Sequence, residues 1–139
     1  MTDYSTILLA LDIWREASNQ SYDAKVGVGR VVQNRANHPG WWGHNIVEVI
    51  THKWQFSSMS APGDPNLIRW PHESDPSWIE SLTAAGAVLT APVASDITQG
   101  ATYYYSVPLT SPPMAWGPVT ETAKIGAMHF CKPIEKLDE

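Results

Sequence analysis

The sequence is short of several things, and each shortage removes a class of function. One cysteine in 139 residues, Cys131, excludes an internal disulfide and a multi-thiolate metal site. Nine Lys and Arg against fourteen Asp and Glu leave a net charge of -5. General nucleic-acid binding needs clustered cations to neutralise phosphates, so that class is excluded. Electrostatic docking on anionic membranes or wall polymers is disfavoured for the same reason. The longest apolar run, Ile7 to Leu11, is far too short to span a bilayer, and no membrane insertion is expected. The opening MTDYST lacks the basic n-region and long apolar stretch of a secretory signal. Synthesis in a reducing cytosol, with export by another route, is therefore the expectation. HExxH, GxSxG and the Walker lysine are all missing, and GVGR falls inside a predicted helix. His38, His44 and His52 are spaced irregularly, so no metal and no cofactor are expected. His129 and Cys131 share one face of a predicted strand, but nothing marks an oxyanion hole beside them.

What is present is a globular composition, 43% hydrophobic and 17% charged, long enough to bury a core without staples. One domain over residues 1–139, acting as a monomer, is expected. Seven Trp and five Tyr are a heavy load for this length. Such rings serve cores, and they also stack on sugar rings and bases.

The helical period predicts a first helix over Ser5–Ala17, capped by Ser5, with Ile7, Ala10, Leu11, Trp14 and Ala17 on one arc. Asp12, Arg15 and Glu16 lie off that arc. After a polar break at Asn19–Ser21, Ser21 caps a second helix running to about Ala36. Its buried face carries Ala24, Gly27, Val28, Val31 and Val32. Gly27 and Gly29 are costly in a helix, and their expected use is close approach of another backbone, that of the first helix. Asn45 with Glu48 reads as a capping box opening NIVEVI. Asp75 and Pro76 open the clearest helix, with Trp78, Leu82, Ala85 and Leu89 as its core stripe. DITQGATYYYS offers a turn at Gln99–Gly100 and a β-rich run. TAKIGAMHFC reads as one closing strand, with Ile125, Ala127, His129 and Cys131 on one face.

Glu16 is the residue to which chemistry is most economically assigned. It sits in the last turn of the first helix, at the border of the apolar arc, flanked by Leu9 and Ile13. Asp12, one turn earlier, is a like charge. On pattern alone a solvated helix-end glutamate is the better reading. Gln55 and Ser57 alternate around Phe56, so Phe56 can anchor while its neighbours face a cleft; an ordinary loop with one buried Phe reads the same way.

The motifs, in order over nearly the whole chain, resemble those of the SleB-type cell-wall hydrolase family. IWREASNQSYDAKVGVGRVVQNR is similar to the family's opening Glu-Ala helix and the Val-rich helix ending in Asn-Arg. NIVEVI followed by QFS, DITQGATYYY and KIGAMHF resemble its later blocks. The resemblance implies an α+β, mainly α, lysozyme-like single domain with a small β element. It implies a peptidoglycan-cleaving glycosidase in which Glu16 is the catalytic acid, Gln55, Ser57 and Tyr104 meet the substrate, and no metal is used. It further implies a lytic transglycosylase that cuts the β-1,4 bond between N-acetylmuramic acid and N-acetylglucosamine in glycan strands, with one carboxyl acting as acid and then base. Two rivals remain open. One is a hydrolytic muramidase with Asp96 or Asp12 positioning water; the other is a non-catalytic peptidoglycan-binding module. Asp96 as a turn cap, Trp116 as a sugar platform or core ring, and His129 as a structural hydrogen-bonder are further expectations. The family's usual Glu-Ala-Arg-Gly is Glu16-Ala17-Ser18-Asn19 here, which replaces a basic corner by a polar one. The chain resembles a compact phage endolysin, made in the host cytoplasm and dependent on a holin for release.

Overall fold

The computed structural model describes residues 3–38, 42–52, 56–92, 95–106 and 109–134. Among the described residues, five α-helices are followed by a small antiparallel sheet. Helix α1 spans Tyr4–Ala17 and α2 spans Tyr22–Asn37. Two short helices follow, α3 at Ile46–Thr51 and α4 at Ser57–Ser60, and then the longer α5 at Pro76–Thr90. Strands β1 (Tyr103–Tyr105), β2 (Val119–Ile125) and β3 (Met128–Pro133) form a sheet in the order β1-β3-β2.

The helix caps follow local sequence chemistry. Asp3, rather than Ser5, caps α1 by accepting from the Thr6 amide. Ser21 caps α2 through the Ala24 amide, and Asp75 caps α5 through the Ser77 amide with Pro76 in the first turn. Asn45 caps α3 by accepting from the Glu48 amide at 2.9 Å. The Glu48 carboxylate reaches back to the His44 amide at 2.8 Å, which closes the box one residue further out than its usual partner.

Helix α1 is the central strut. It packs against α2, α3, α4 and α5, so from Leu9 onward it has almost no solvent side. Leu9, Ala10, Ile13 and Ala17 are fully buried; each large apolar side chain contributes roughly 1.5–3 kcal/mol by leaving water. Asp12 and Arg15, expected off the apolar arc, are buried as well, whereas Ile7 is exposed. The amphipathic pattern fails here because four neighbours, not one, surround the helix. In α5 the deepest residues are Ser81, Ala84, Ala85 and Val88, with Trp78, Leu82 and Leu89 only partly covered at their flanks.

The two helical glycines serve close approaches. A Cβ on Gly27 would lie 2.5 Å from the Phe130 ring of β3. One on Gly29 would meet Val88 of α5 at 2.9 Å and Ile13 of α1 at 3.2 Å. The approaching groups are side chains and not the backbone expected: Gly29 admits Val88 of α5 and Ile13 of α1, and Gly27 admits the Phe130 ring. The C-terminal segment is a hairpin rather than one strand. Gly126, at φ 60, turns β2 into β3. His129 and Cys131 do share a face of β3, but Ile125 lies across the turn on β2 and Ala127 is in the turn itself. The Gln99–Gly100 turn is observed, with φ of 57 and 88.

Candidate active site

Two adjacent pairs of residues, one at the end of α1 and one at the end of α2, assemble the site. The first pair is Arg15 and Glu16. The Arg15 guanidinium donates to three carbonyls: Arg69 at 3.1 Å, Ser58 at 3.1 Å and Leu67 at 3.2 Å. It thereby ties α4 and the turn at Pro65–Ile68 to the end of α1. The next residue, Glu16, accepts from the Ser58 hydroxyl through Oε2 at 2.6 Å. Ser58 is thus gripped twice, by its carbonyl and by its hydroxyl, and it is buried.

The second pair is Asn34 and Arg35 at the end of α2. The Asn34 amide donates to the Asp96 carboxylate and to the Ala101 carbonyl, both at 2.9 Å. Arg35 Nε donates to the Thr102 carbonyl at 2.8 Å. These bonds fix residues 96–102 against α2, so that β1 emerges beside α2. Tyr104, paired with Phe130 in the sheet, then points its hydroxyl at Glu16 and donates to Oε1.

Behind Glu16 the elbow between α1 and α2 is held from inside. The buried Lys25 ammonium donates to the carbonyls of Ser18 (3.3 Å) and Gln20 (2.7 Å) and pairs with Glu80 at 3.0 Å. The Ser77 hydroxyl donates to the same Ser18 carbonyl at 2.6 Å. A cation on the carbonyl end of a helix also suits the helix dipole.

Glu16 is half-buried, and each of its oxygens accepts from a hydroxyl. The Tyr104 hydroxyl is pushed well above its ordinary value near 10 by burial first and by Glu16 and Asp12 second; Arg35 opposes them. Tyr104 is therefore a neutral donor. Burial lowers Arg35, while Tyr104, Asp12, Tyr103 and Glu16 act against it. The Arg35 guanidinium also lies over the rings of Phe56 (5.1 Å), Tyr103 (5.5 Å) and Trp42 (5.8 Å). On the outer side, Arg15 sits 4.6 Å from the centre of the exposed Trp70 ring, and Arg69 lies 4.2 Å from that of Trp14. Arg69 also reaches the Ser18 hydroxyl at 3.4 Å, so the polar corner after Glu16 has a cation beside it from another segment.

The other sequence-based candidates fall in different places. Gln55 and the side chain of Ser57 lie outside the described residues. Ser58, which sequence reasoning did not single out, supplies a hydroxyl to Glu16; its only signal was membership of a Ser-Ser pair after Phe56. Asp96 binds the Thr98 amide and hydroxyl, the Gly100 amide and the Asn34 amide. Those bonds outweigh its partial burial and hold its carboxyl below the usual 3.8. It is a turn-fixing carboxylate. Asp12 is sealed from solvent and cannot hold a water against a substrate.

His129 bonds the Glu121 carboxylate and stacks on Tyr105 with ring centres 4.6 Å apart, on the outer face of the sheet. Trp116 is half-buried against Tyr103 at 4.7 Å. Cys131 is buried, and burial raises its thiol, which removes it as a nucleophile. A cavity of about 420 Å³ between His38, Trp42, Thr102 and Lys132 does not include Glu16 in its wall.

Comparison with known proteins agrees with this architecture. The chain is 28% identical over 125 residues to the spore cortex-lytic enzyme of Bacillus subtilis, covering 90% of this chain and 36% of that protein. It is 28% identical over 130 residues to the spore cortex-lytic enzyme of Halalkalibacterium halodurans, covering 94% and 35%. The chain therefore spans about a third of the length of these curated relatives. Among solved structures, it superposes on the catalytic domain of the germination-specific lytic transglycosylase SleB from Bacillus anthracis with a TM-score of 0.68 at 22% identity, covering 94% of this chain and 97% of that one. The catalytic domain of the Bacillus cereus SleB protein gives 0.64 at 22% identity, covering 95% and 93%. These likenesses establish the mainly helical, lysozyme-like fold with its small sheet. The sequence model of the Cell Wall Hydrolase family matches residues 19–131, beginning just past Glu16. With most of its length in that match, the chain belongs to the cell wall hydrolase family.

Proposed function

We propose that this protein is a lytic transglycosylase that cuts the β-1,4 bond between N-acetylmuramic acid and N-acetylglucosamine, with Glu16 as its single acid and base. The observation that carries the reading is the nature of the partners of Glu16. Both are hydroxyls, and a hydroxyl can donate or accept. Ser58 and Tyr104 can therefore serve Glu16 whether or not it holds a proton, whereas amide donors would be orphaned by protonation. That is what a group that gives and retrieves a proton requires.

In the first step protonated Glu16 delivers its proton to the glycosidic oxygen, and the N-acetylglucosamine leaving group departs with it as a hydroxyl. Charge then develops at C1 of the muramic sugar. Ser58 and Tyr104 hold the resulting Glu16 carboxylate in place. In the second step that carboxylate takes the proton of the muramic C6 hydroxyl, whose oxygen bonds to C1. The product is a 1,6-anhydro sugar, and Glu16 is again protonated. No second carboxylate is needed. The exposed Trp70, on the Arg15 side of the site, offers a flat face for a sugar ring.

We further read the setting as that of an endolysin, made in the host cytoplasm and released to the wall through a separate membrane lesion. The buried free thiol of Cys131 suits a reducing compartment. One experiment addresses both readings: wild type and Glu16→Gln are compared on purified wall and inside cells with and without membrane permeabilisation. The expected result is lysis by wild type only, in cells only after permeabilisation, with Glu16→Gln about a hundred- to ten-thousand-fold slower. Lysis of purified wall by Glu16→Gln would dismiss the acid. Lysis of intact cells by wild type would dismiss the release requirement.

A further inference from the structure

One pair of neighbours beside the acid is both exposed and firmly seated. The Arg69 amide donates to the Asn66 carbonyl at 3.0 Å, and the Arg69 carbonyl accepts from Arg15 Nε at 3.1 Å. The backbone is thereby fixed, yet the side chains of Arg69 and Trp70 both face solvent, and Trp70 is 69% exposed. An indole left in water forfeits the gain of burial. The Arg69 guanidinium lies 4.2 Å from the centre of the Trp14 ring. That ring is buried, and its Nε1–H donates to Asp75 at 3.2 Å. The cation therefore has a rigid seat, but its hydrogen bonds are few and long. Nη1 donates to the Asn66 side-chain oxygen and Nη2 to the Ser18 hydroxyl, both at 3.4 Å. Of the five N–H donors of a guanidinium, three bond nothing among the described residues, and no carboxylate pairs with it there. Ser18 is two residues past Glu16, so this open fork stands at the rim of the acid.

We infer that Arg69 and Trp70 form a subsite for acidic muramic sugars, in which the indole packs on a ring of the strand and the Arg69 fork takes the carboxylate that the muramic sugar carries. A flat apolar face fits the face of a pyranose. A guanidinium with donors to spare fits a carboxylate in shape and charge, and two parallel N–H bonds fix its orientation. In a strand of alternating N-acetylglucosamine and N-acetylmuramic acid, only the muramic sugar bears an acid. That acid is the lactyl carboxyl where the sugar is bare, and a carboxyl of the stem peptide where one is attached. The chain as a whole carries a net charge of -5, so the attraction is local to this fork and not a property of the surface at large. Arg69 would thus set a preference for acidic over neutral glycan beside Glu16, while Trp70 would hold either. The subsite rests on the reading of the protein as an enzyme of muramic glycans.

Binding, not lysis, tests it. Calorimetry on the Glu16→Gln protein compares soluble glycan strands bearing stem peptides, the same strands stripped to the lactyl carboxyl by an amidase, and each kind after its carboxyls are converted to amides. The protein is expected to prefer the acidic strands over their amidated forms by about tenfold, as one bond to a charged group predicts. Adding Arg69→Leu should abolish that preference and leave the affinity for amidated strands in place, which also shows that the variant is folded. Arg69→Gln carries the test if the leucine variant does not fold. Trp70→Ala should weaken acidic and amidated strands alike. A preference seen with peptide-bearing strands assigns the fork to a stem carboxylate, and one seen with stripped strands assigns it to the lactyl group; either supports the subsite. Equal affinity for acidic and amidated strands, or a preference that survives Arg69→Leu, overturns it. Strand fragments released by Glu16→Gln would instead sink the catalytic acid and leave the preference for acidic strands to be read as before.

Discussion

Two acids, Glu16 at the end of α1 and Asp96 against Asn34 of α2, are treated in opposite ways. Asp96 is met by two backbone amides, a side-chain amide and a hydroxyl, and its carboxyl is held below the usual range. Glu16 is met by two hydroxyls and nothing that only donates, among the described residues. N–H groups commit a carboxylate to its charge, because they have no way to accept. Hydroxyls make no such commitment. The same residue chemistry therefore yields a fixed joint at one place and, under the proposed function, a proton-handling group at the other, and the difference lies in the partners.

That contrast can be broken from either side. The larger effect on activity is expected at Glu16's partners. Tyr104→Phe and Ser58→Ala each remove one hydroxyl and nothing else, and each should slow wall lysis about ten- to a hundredfold with little change in thermal stability, as loss of a bond to a charged group predicts. Unchanged rates in both would show that the hydroxyls only fill space.

A smaller effect, on stability alone, is expected at Asp96. Asp96→Asn keeps the shape but turns an amide toward N–H donors; it should cost about 1–2 kcal/mol in denaturant unfolding and leave the activity of the folded enzyme unchanged. The sign of the pH dependence follows from the lowered carboxyl. Its stabilisation is present above about pH 3.8, the unfolded value, and is lost as pH falls below that toward the folded value. Wild type should lose this increment on acidification and Asp96→Asn should not. Equal acid sensitivity in the two proteins would contradict the assignment.

Much of the framework was legible in the sequence for physical reasons that can be named. Ser21, Asn45 and Asp75 announce helix starts because their side chains satisfy orphan amides within three residues, and each does so. The buried face of α2 was readable because Ala24, Val28, Val31 and Val32 have one packing side. The same method failed on α1, where Asp12 and Arg15 are enclosed by elements distant in the chain. Periodicity reports one-sided burial and has no signature for a polar residue buried on a fully surrounded helix. The hairpin at Gly126 was hidden for a different reason: alternation continues through a tight turn, and only the positive φ of the glycine distinguishes it. The bond from Ser58 to Glu16 was beyond the sequence altogether, because it depends on where Arg15 pulls α4.

The central claim is that one carboxyl both gives and retrieves the proton, and the fragments released from purified sacculi test it most directly. Mass spectrometry after digestion by the wild-type protein should find 1,6-anhydro-muramic ends, each lighter by one water than a reducing end. Reducing muramic ends instead would mean that water attacks C1 and that a second group activates it, and the single-acid account would be contradicted.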